Sequence, residues 1–214
     1  MYLKRISLAI IFLSIINLSG CAQSKIIIKD DVTVGSIGNK AVIVINDVRP
    51  ESDKNYTIGS IMVFSEDYGI WTLGDDMFSP TTLAVLKRYI NNETSKWKVQ
   101  PSVINLKLKR LKFEANHQAD LLAAGSTQLG PLGVVIAEAM HGKDFEMQYD
   151  KTRPFVMGFI NADVEIKFDD GKVISKSLSA AKAENFSSHM DHQGRADAAS
   201  KTIKALYSTF SKAL

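Results

Sequence analysis

One stretch near the C-terminal end constrains the fold more than any other part of the sequence. Residues 155–168 predict the clearest strand: from residue 160 onward, polar residues alternate with five apolar ones, Ile160, Ala162, Val164, Ile166 and Phe168. Alternation with a period of two predicts a β-strand with one buried face and one face in water. The next residues contain the Asp170-Gly171 pair, which favours a hairpin turn. The chain is therefore expected to fold around an antiparallel strand pair, whose return strand covers about residues 173–185.

Two further strands are predicted upstream of this pair. In residues 102–113, apolar residues alternate up to Leu108 and resume out of phase at Leu111. A β-bulge at Lys109-Arg110 explains the shift, because one extra residue moves the following side chains to the opposite face. The run from residue 41 to residue 48 is rich in β-branched residues and predicts a strand that is buried on both faces.

Two amphipathic helices complete the predicted set of elements. Ser79 as N-cap and Pro80 at the first helical position predict a helix through about Asn92. A closing helix is predicted at about residues 193–213, with one apolar stripe formed by Ala199, Ile203, Leu206, Phe210 and Ala213. The order of elements predicts an α+β fold, in which a small antiparallel or mixed sheet is covered by two helices on one face, with an insertion between strands.

The N-terminal residues have the layout of a bacterial lipoprotein signal. Lys4 and Arg5 precede an apolar run that ends near Ile16, and small residues come just before Cys21. This order is typical of a secretory signal peptide, and the run is shorter than the roughly 20 residues of a membrane span. The sequence at 18–21 also resembles the lipobox, which predicts cleavage between Gly20 and Cys21 and lipidation of Cys21. The alternative is an ordinary signal peptide or anchor helix.

This interpretation divides the chain into three parts. Residues 1–20 are the signal peptide, 21–40 are the lipidated cysteine and a tether, and 41–214 form one domain with an insertion at about 115–153. Cleavage would remove two of the 26 basic residues and none of the 23 acidic ones. The remaining excess of one positive charge does not indicate nucleic-acid binding, which needs clustered Lys and Arg. Ala22, rather than an aspartate, follows the cysteine, and this favours the outer membrane with the domain facing the periplasm.

With these elements in place, the chain resembles the YajG-like family of small bacterial envelope lipoproteins. The matching features are the lipobox at Cys21, the strand ending at Asn46-Asp47-Val48-Arg49, Ile58-Gly59, and Trp71-Thr72-Leu73 before the helix at Pro80. The resemblance implies a small α+β fold with no enzymatic activity, no cofactor and no catalytic residues. The chain departs from the family in the forty or so residues between the strands at 102–113 and 155–168, where the family has a shorter link.

A pair of histidines near the closing helix provides candidate metal ligands. His189 and His192, with Asp197 nearby, could form a metal pair. Capping of the closing helix by Asp191 is the simpler interpretation, so no metal site is predicted. His117 and His141 are isolated in the sequence and are predicted to lie at the surface or in loops.

The paired charges also have simple structural interpretations. Asp47 and Arg49 are two residues apart on a strand and therefore share a face. They could bind an anionic ligand or position a carboxylate, but an ion pair or a cap for a nearby loop is the simpler interpretation. Asp75-Asp76 and Asp169-Asp170 lie in turn contexts and are predicted to be solvated. The sequence contains no nucleophile elbow, P-loop or dinucleotide fingerprint. No enzyme is predicted.

The insertion is the most individual segment of the chain. Residues 115–124 look helical, glycines then interrupt the sequence, and a small apolar run follows. The candidate partner-binding residues in this segment are Leu132, Val134, Val135, Ile136, Met140 and Phe145. The apolar run either covers the core of the domain itself or forms an arm that meets a partner protein or the lipid surface.

The features together favour a non-enzymatic outer-membrane lipoprotein that binds or scaffolds an envelope protein complex. An auxiliary lipoprotein of an envelope lipid-trafficking or transport system is one alternative. An envelope hydrolase with an unrecognised site is another. A deep pocket with converging Asp, His or Arg side chains would indicate the hydrolase.

Overall fold

The computed structural model describes residues 25–29, 41–58, 69–117, 150, 153–188 and 190–214. The strands in chain order are β1 (Ile26–Ile27), β2 (Val42–Asp47), β3 (Thr57–Ile58), β4 (Ile70–Leu73), β5 (Phe78–Ser79), β6 (Val103–Asn116), β7 (Phe155–Lys167) and β8 (Val173–Asn185). The helices are α1 (Glu51–Lys54), α2 (Thr82–Thr94) and α3 (His192–Lys212), with a short 3-10 helix at Asp75–Met77.

Three long antiparallel strands, β6, β7 and β8, form the largest part of the sheet, with β8 at one edge. The predicted hairpin joins β7 to β8, and Gly171 in its turn has a φ of 82°, a conformation that glycine adopts without strain. The register of β6 against β7 shifts between Leu108 and Arg110, so the predicted β-bulge is confirmed.

Two shorter strands pair with the other edge of β6, one beyond the other along its length. β2 pairs with its first half in parallel, and β4 pairs with its last four residues antiparallel, with β3 outside β4. The sheet is therefore mixed, and the predicted α+β class is confirmed. The prediction that residues 41–48 are buried on both faces is wrong, because β2 pairs with one described strand alone and leaves Val42 60% and Val44 48% exposed.

Both long helices begin at a side-chain cap. The hydroxyl of Thr81 accepts a hydrogen bond from the Ala84 N–H at 3.3 Å, so α2 starts two residues later than predicted and Ser79 belongs to β5. The carboxylate of Asp191 accepts a hydrogen bond from the Gly194 N–H at 2.7 Å. Capping of the closing helix by Asp191 is therefore confirmed.

The main core lies between the sheet and the helices α2 and α3. Helix α3 contributes the predicted stripe, in which Ala199, Ile203, Leu206 and Phe210 are at most 1% exposed, whereas Ala213 at the helix end is exposed. Helix α3 approaches β7 closely at Gly158. A Cβ atom there would lie 2.7 Å from the Phe113 ring and 3.0 Å from the Thr202 methyl group.

The N-terminal strand β1 also belongs to this core. It pairs in parallel with β5, and Ile26 and Ile28 are 5% and 3% exposed. Residues 26–28, which the sequence assigns to the tether, are therefore part of the folded domain.

We expect Gly158→Ala to lower the free energy of unfolding by about 1–3 kcal/mol, because the added methyl group overpacks the contact between β7 and α3. Denaturant titration measures the loss. Ser175→Ala on the exposed side of β8 is the control and should change stability by no more than about 0.5 kcal/mol. Equal stability of the two variants would show that the helix can move away from the strand at little cost.

Candidate functional site

The face of the sheet that points away from α2 and α3, called the open face below, carries three successive rows of side chains. Residues directly opposite each other on paired strands point to the same face, so the register defines each row. From β2 across β6 and β7 to β8, the first row is Val42, Val103, Lys167 and Val173, the second is Val44, Asn105, Glu165 and Ser175, and the third is Asn46, Lys107, Asp163 and Ser177.

The polar side chains of the open face bind one another within and across the strands. The carboxylate of Asp163 accepts hydrogen bonds from the Lys109 ammonium at 2.6 Å and the Ser177 hydroxyl at 2.7 Å. Glu165 pairs with Lys167 at 3.0 Å and accepts a hydrogen bond from the Asn105 amide, also at 3.0 Å. These contacts order the side chains into a continuous polar surface.

The same contacts set the charge state of the two carboxyl groups. The hydrogen bonds from Lys109 and then Ser177 lower the pKa of Asp163, and those from Lys167 and then Asn105 lower the pKa of Glu165. A general acid in a hydrolase needs a carboxyl group with a raised pKa near the working pH. Neither carboxyl group has that property, and both stay ionised at neutral pH.

The second and third rows, together with Lys109, line an open groove with a volume of about 780 Å³. Asn46 and Val44 line one side, the charged side chains of β6 and β7 line the floor, and serines of β8 line the other side. No His or Arg side chain of the described residues lines the groove. Its shape and its lining suit contact with a macromolecular surface more than enclosure of a small substrate.

Beyond the third row the open face becomes apolar and buried. Phe155, Met157 and Phe159 are 3–4% exposed and form a second apolar cluster with Ala181, and the Arg110 guanidinium lies 5.9 Å from the centre of the Phe159 ring. The wet face predicted from residues 161–167 is confirmed there, and it does not extend to residues 155–159.

Several sequence-predicted site residues lie outside the described residues. These are Gly20, Cys21, Leu132, Val134, Val135, Ile136, Met140, Phe145, His141 and His189. Of the segment expected to look helical, Ala115 and Asn116 belong instead to β6, and residues 118–124 lie outside the described residues.

The Asp47–Arg49 pair forms a second polar cluster, and it is a structural one. The Arg49 side chain is fully buried and binds Asp47 at 2.8 Å and Asp75 at 2.6 Å, while one of its N–H groups donates to the Leu111 carbonyl at 2.9 Å. All five guanidinium N–H donors have acceptors among these three residues. No donor is left for a ligand. The predicted ion pair is confirmed, whereas the prediction of a merely solvated Asp75 is wrong.

The histidine predictions have mixed outcomes. His117 is 0% exposed and packs between Trp71 and Phe186, with ring centres 4.3 Å and 5.2 Å away, so the prediction of a surface position is wrong. The residue follows β6 directly and has no regular secondary structure, as the alternative of a loop position predicts. His192 lies in the first turn of α3 beside Arg195. Among the described residues, no three His, Cys, Asp or Glu side chains lie close enough together to hold a metal ion.

No family model, curated protein or solved structure matches the chain. The resemblance to YajG-like lipoproteins therefore stays a prediction. None of the described helices is both long and apolar enough to cross a membrane.

Proposed function

We propose that the protein is a non-enzymatic lipoprotein, anchored in the outer membrane through Cys21 and facing the periplasm, which binds or scaffolds an envelope protein complex. The observation that carries the proposal is the open face, where a groove of about 780 Å³ combines ordered polar side chains with the exposed Val44. Mixed polar and apolar composition is typical of non-obligate protein interfaces. The lipobox supports the anchor, and the lowered pKa values of Asp163 and Glu165 support a binding role over acid catalysis.

The anchor has its own test. We expect Cys21→Ser to abolish incorporation of labelled palmitate into the protein, because the thiol is the only group in the chain that a lipobox can modify. The measurement is metabolic labelling followed by immunoprecipitation, with the unmodified chain as the positive control. Palmitate incorporation by the serine variant would contradict the lipobox and leave the localisation without support.

The binding face is tested by site-specific photo-crosslinking in cells. A photo-reactive amino acid in place of Ser177 on the open face should give discrete crosslinked species. The same amino acid in place of Lys201, which is exposed on the opposite layer, is the matched control and should give none. Crosslinks from position 201 alone, or from neither position, would contradict a binding role for the open face.

A further inference from the structure

We propose that the outer edge of β2 binds an extended segment of a partner protein by strand addition, with an acidic residue of that segment beside Lys107. The inference rests on the proposed function, since it states how the binding module holds its partner. In strand addition, main-chain hydrogen bonds supply affinity and alternate side chains supply specificity.

The hydrogen-bonding pattern of β2 determines which of its main-chain groups face the outer edge. The N–H of Val42 donates to the Ser102 carbonyl at 2.9 Å, and the N–H of Val48 donates to the Leu108 carbonyl at 3.0 Å. Residues that bond to the neighbour alternate with residues that point away from it in a parallel ladder. The N–H and C=O groups of Ile43 and Ile45 therefore point outward, and no described strand pairs with them.

The two long edges of the sheet differ in how they are protected from pairing with another strand. Sheet edges in soluble proteins are commonly protected from pairing by lysines, prolines or bulges. The edge strand β8 carries Lys176 and Lys182, whereas β2 contains no lysine, no proline and no register shift against β6. The outer edge of β2 is thus the one of the two that can accept another strand.

The side chains beside the outer edge of β2 determine which kind of segment fits there. An added strand would place one side chain beside each of Val42, Val44 and Asn46 on the open face. The valines are 60% and 48% exposed, which favours apolar side chains beside them. Lys107 stands directly behind Asn46, is exposed, and makes no ion pair with another described residue. Its charge favours an acidic side chain at the position beside Asn46, about 10 Å away across two strand spacings.

A peptide segment fits the outer edge of β2 better than a second copy of the chain does. An edge of six residues is about 20 Å long. Pairing of two such edges alone cannot bury the 1,200 Å² or so of a stable interface. The β2 strand of a second copy would present Val42, Val44 and Asn46 on the open face and so has no acidic side chain to place beside Asn46. In the antiparallel direction, the segment that fits has an acidic residue first and apolar residues at the third and fifth positions, with any residue between them. Such a segment can form the main-chain hydrogen bonds of the edge and can place its acidic residue near Lys107.

The test uses the full chain in mild detergent and a synthetic peptide in which one glutamate and two valines alternate with threonines. We expect the peptide to slow amide hydrogen exchange at Ile43 and Ile45 by tenfold or more. Lys107→Glu should weaken binding of this peptide at least tenfold. The variant should bind the same peptide with lysine in place of glutamate more tightly than it binds the original peptide. Lys201→Glu is the charge-matched control and should bind like the unmodified chain.

Three outcomes would overturn the inference. Unchanged exchange at Ile43 and Ile45 at saturating peptide would exclude strand addition. Slow exchange of these amides before peptide is added would show that the edge is already paired within the chain. Equal binding of both peptides by Lys107→Glu would remove the acidic specificity. Each of these results would contradict strand addition. If crosslinks from position 177 were still observed in cells, the proposed function would remain supported.

Discussion

Replacing Phe210 by alanine is expected to lower the free energy of unfolding by about 3–5 kcal/mol. The Phe210 side chain is 1% exposed and lies on the stripe of α3 that faces the sheet, in the same core cluster as Leu206 and Tyr207. Alanine would leave a cavity at the interface between helix and sheet, and closely packed neighbours close such a cavity only in part. Urea titration followed by circular dichroism measures the loss.

The neighbouring residue provides the control for this prediction. Thr209 is exposed on the opposite side of the same helix turn, so Thr209→Ala should change the free energy of unfolding by no more than about 0.5 kcal/mol. A loss below about 1 kcal/mol for Phe210→Ala would mean that α3 does not close the core.

The features predicted correctly from the sequence are those whose signals are local. The hairpin between β7 and β8 follows from alternation and an Asp-Gly pair within thirty or so residues, and the observed return strand, Val173–Asn185, matches the prediction. The β-bulge follows from a change of phase within β6, and the stripe of α3 follows from helical spacing. Each of these signals is contained in the element that it predicts.

The features missed are those that depend on partners distant in the sequence. A run of β-branched residues has the same pattern in a central strand and in an edge strand, so the exposure of β2 depends on how many neighbours the fold provides. Ile26 and Ile28 are buried because β5, about fifty residues later, pairs with β1. His117 is buried because β4 and the end of β8 bring Trp71 and Phe186 against it. None of these contacts has a local signal.

The candidate site was predictable in part for the same reason. The polar residues of β7 that face the groove, including Asp163 and Glu165, follow from alternation. Their neighbours Asn46 and Lys107 come from other strands and depend on register. The importance of β2 for the site follows from its position at the edge of the sheet, which the sequence did not indicate.

The buried cluster on the open face also bears on the insertion. Its two alternatives make opposite predictions for replacement of residues 118–149 by a short Gly/Ser link. If the segment covers the core, replacement would uncover Phe155, Met157 and Phe159 and lower the midpoint of thermal unfolding. If it is an arm, the midpoint would not change.

The second large effect is expected at the buried cluster around Arg49. Arg49→Met should lower the free energy of unfolding at neutral pH by about 3 kcal/mol. The change leaves two carboxylates without their shared cation and the Leu111 carbonyl without its donor. Asp47 and Asp75 are 24% and 31% exposed, so water can solvate them in part, and the loss should fall at the low end for a broken buried pair. Asp47→Asn, which keeps the side-chain shape, should cost less.

The pH dependence of this loss identifies its cause. The hydrogen bond from Arg49 lowers the pKa of Asp47 from its ordinary value of 3.8, against an opposing effect of burial. A carboxyl group with a lowered folded-state pKa stabilises the fold above its unfolded-state pKa, and this stability is lost as pH falls through the folded-state value. The difference between the unmodified chain and Arg49→Met should therefore shrink as pH falls below about 4. A difference that stays constant between pH 7 and pH 3 would assign the loss to the Leu111 carbonyl and to packing, not to the ion pair with Asp47.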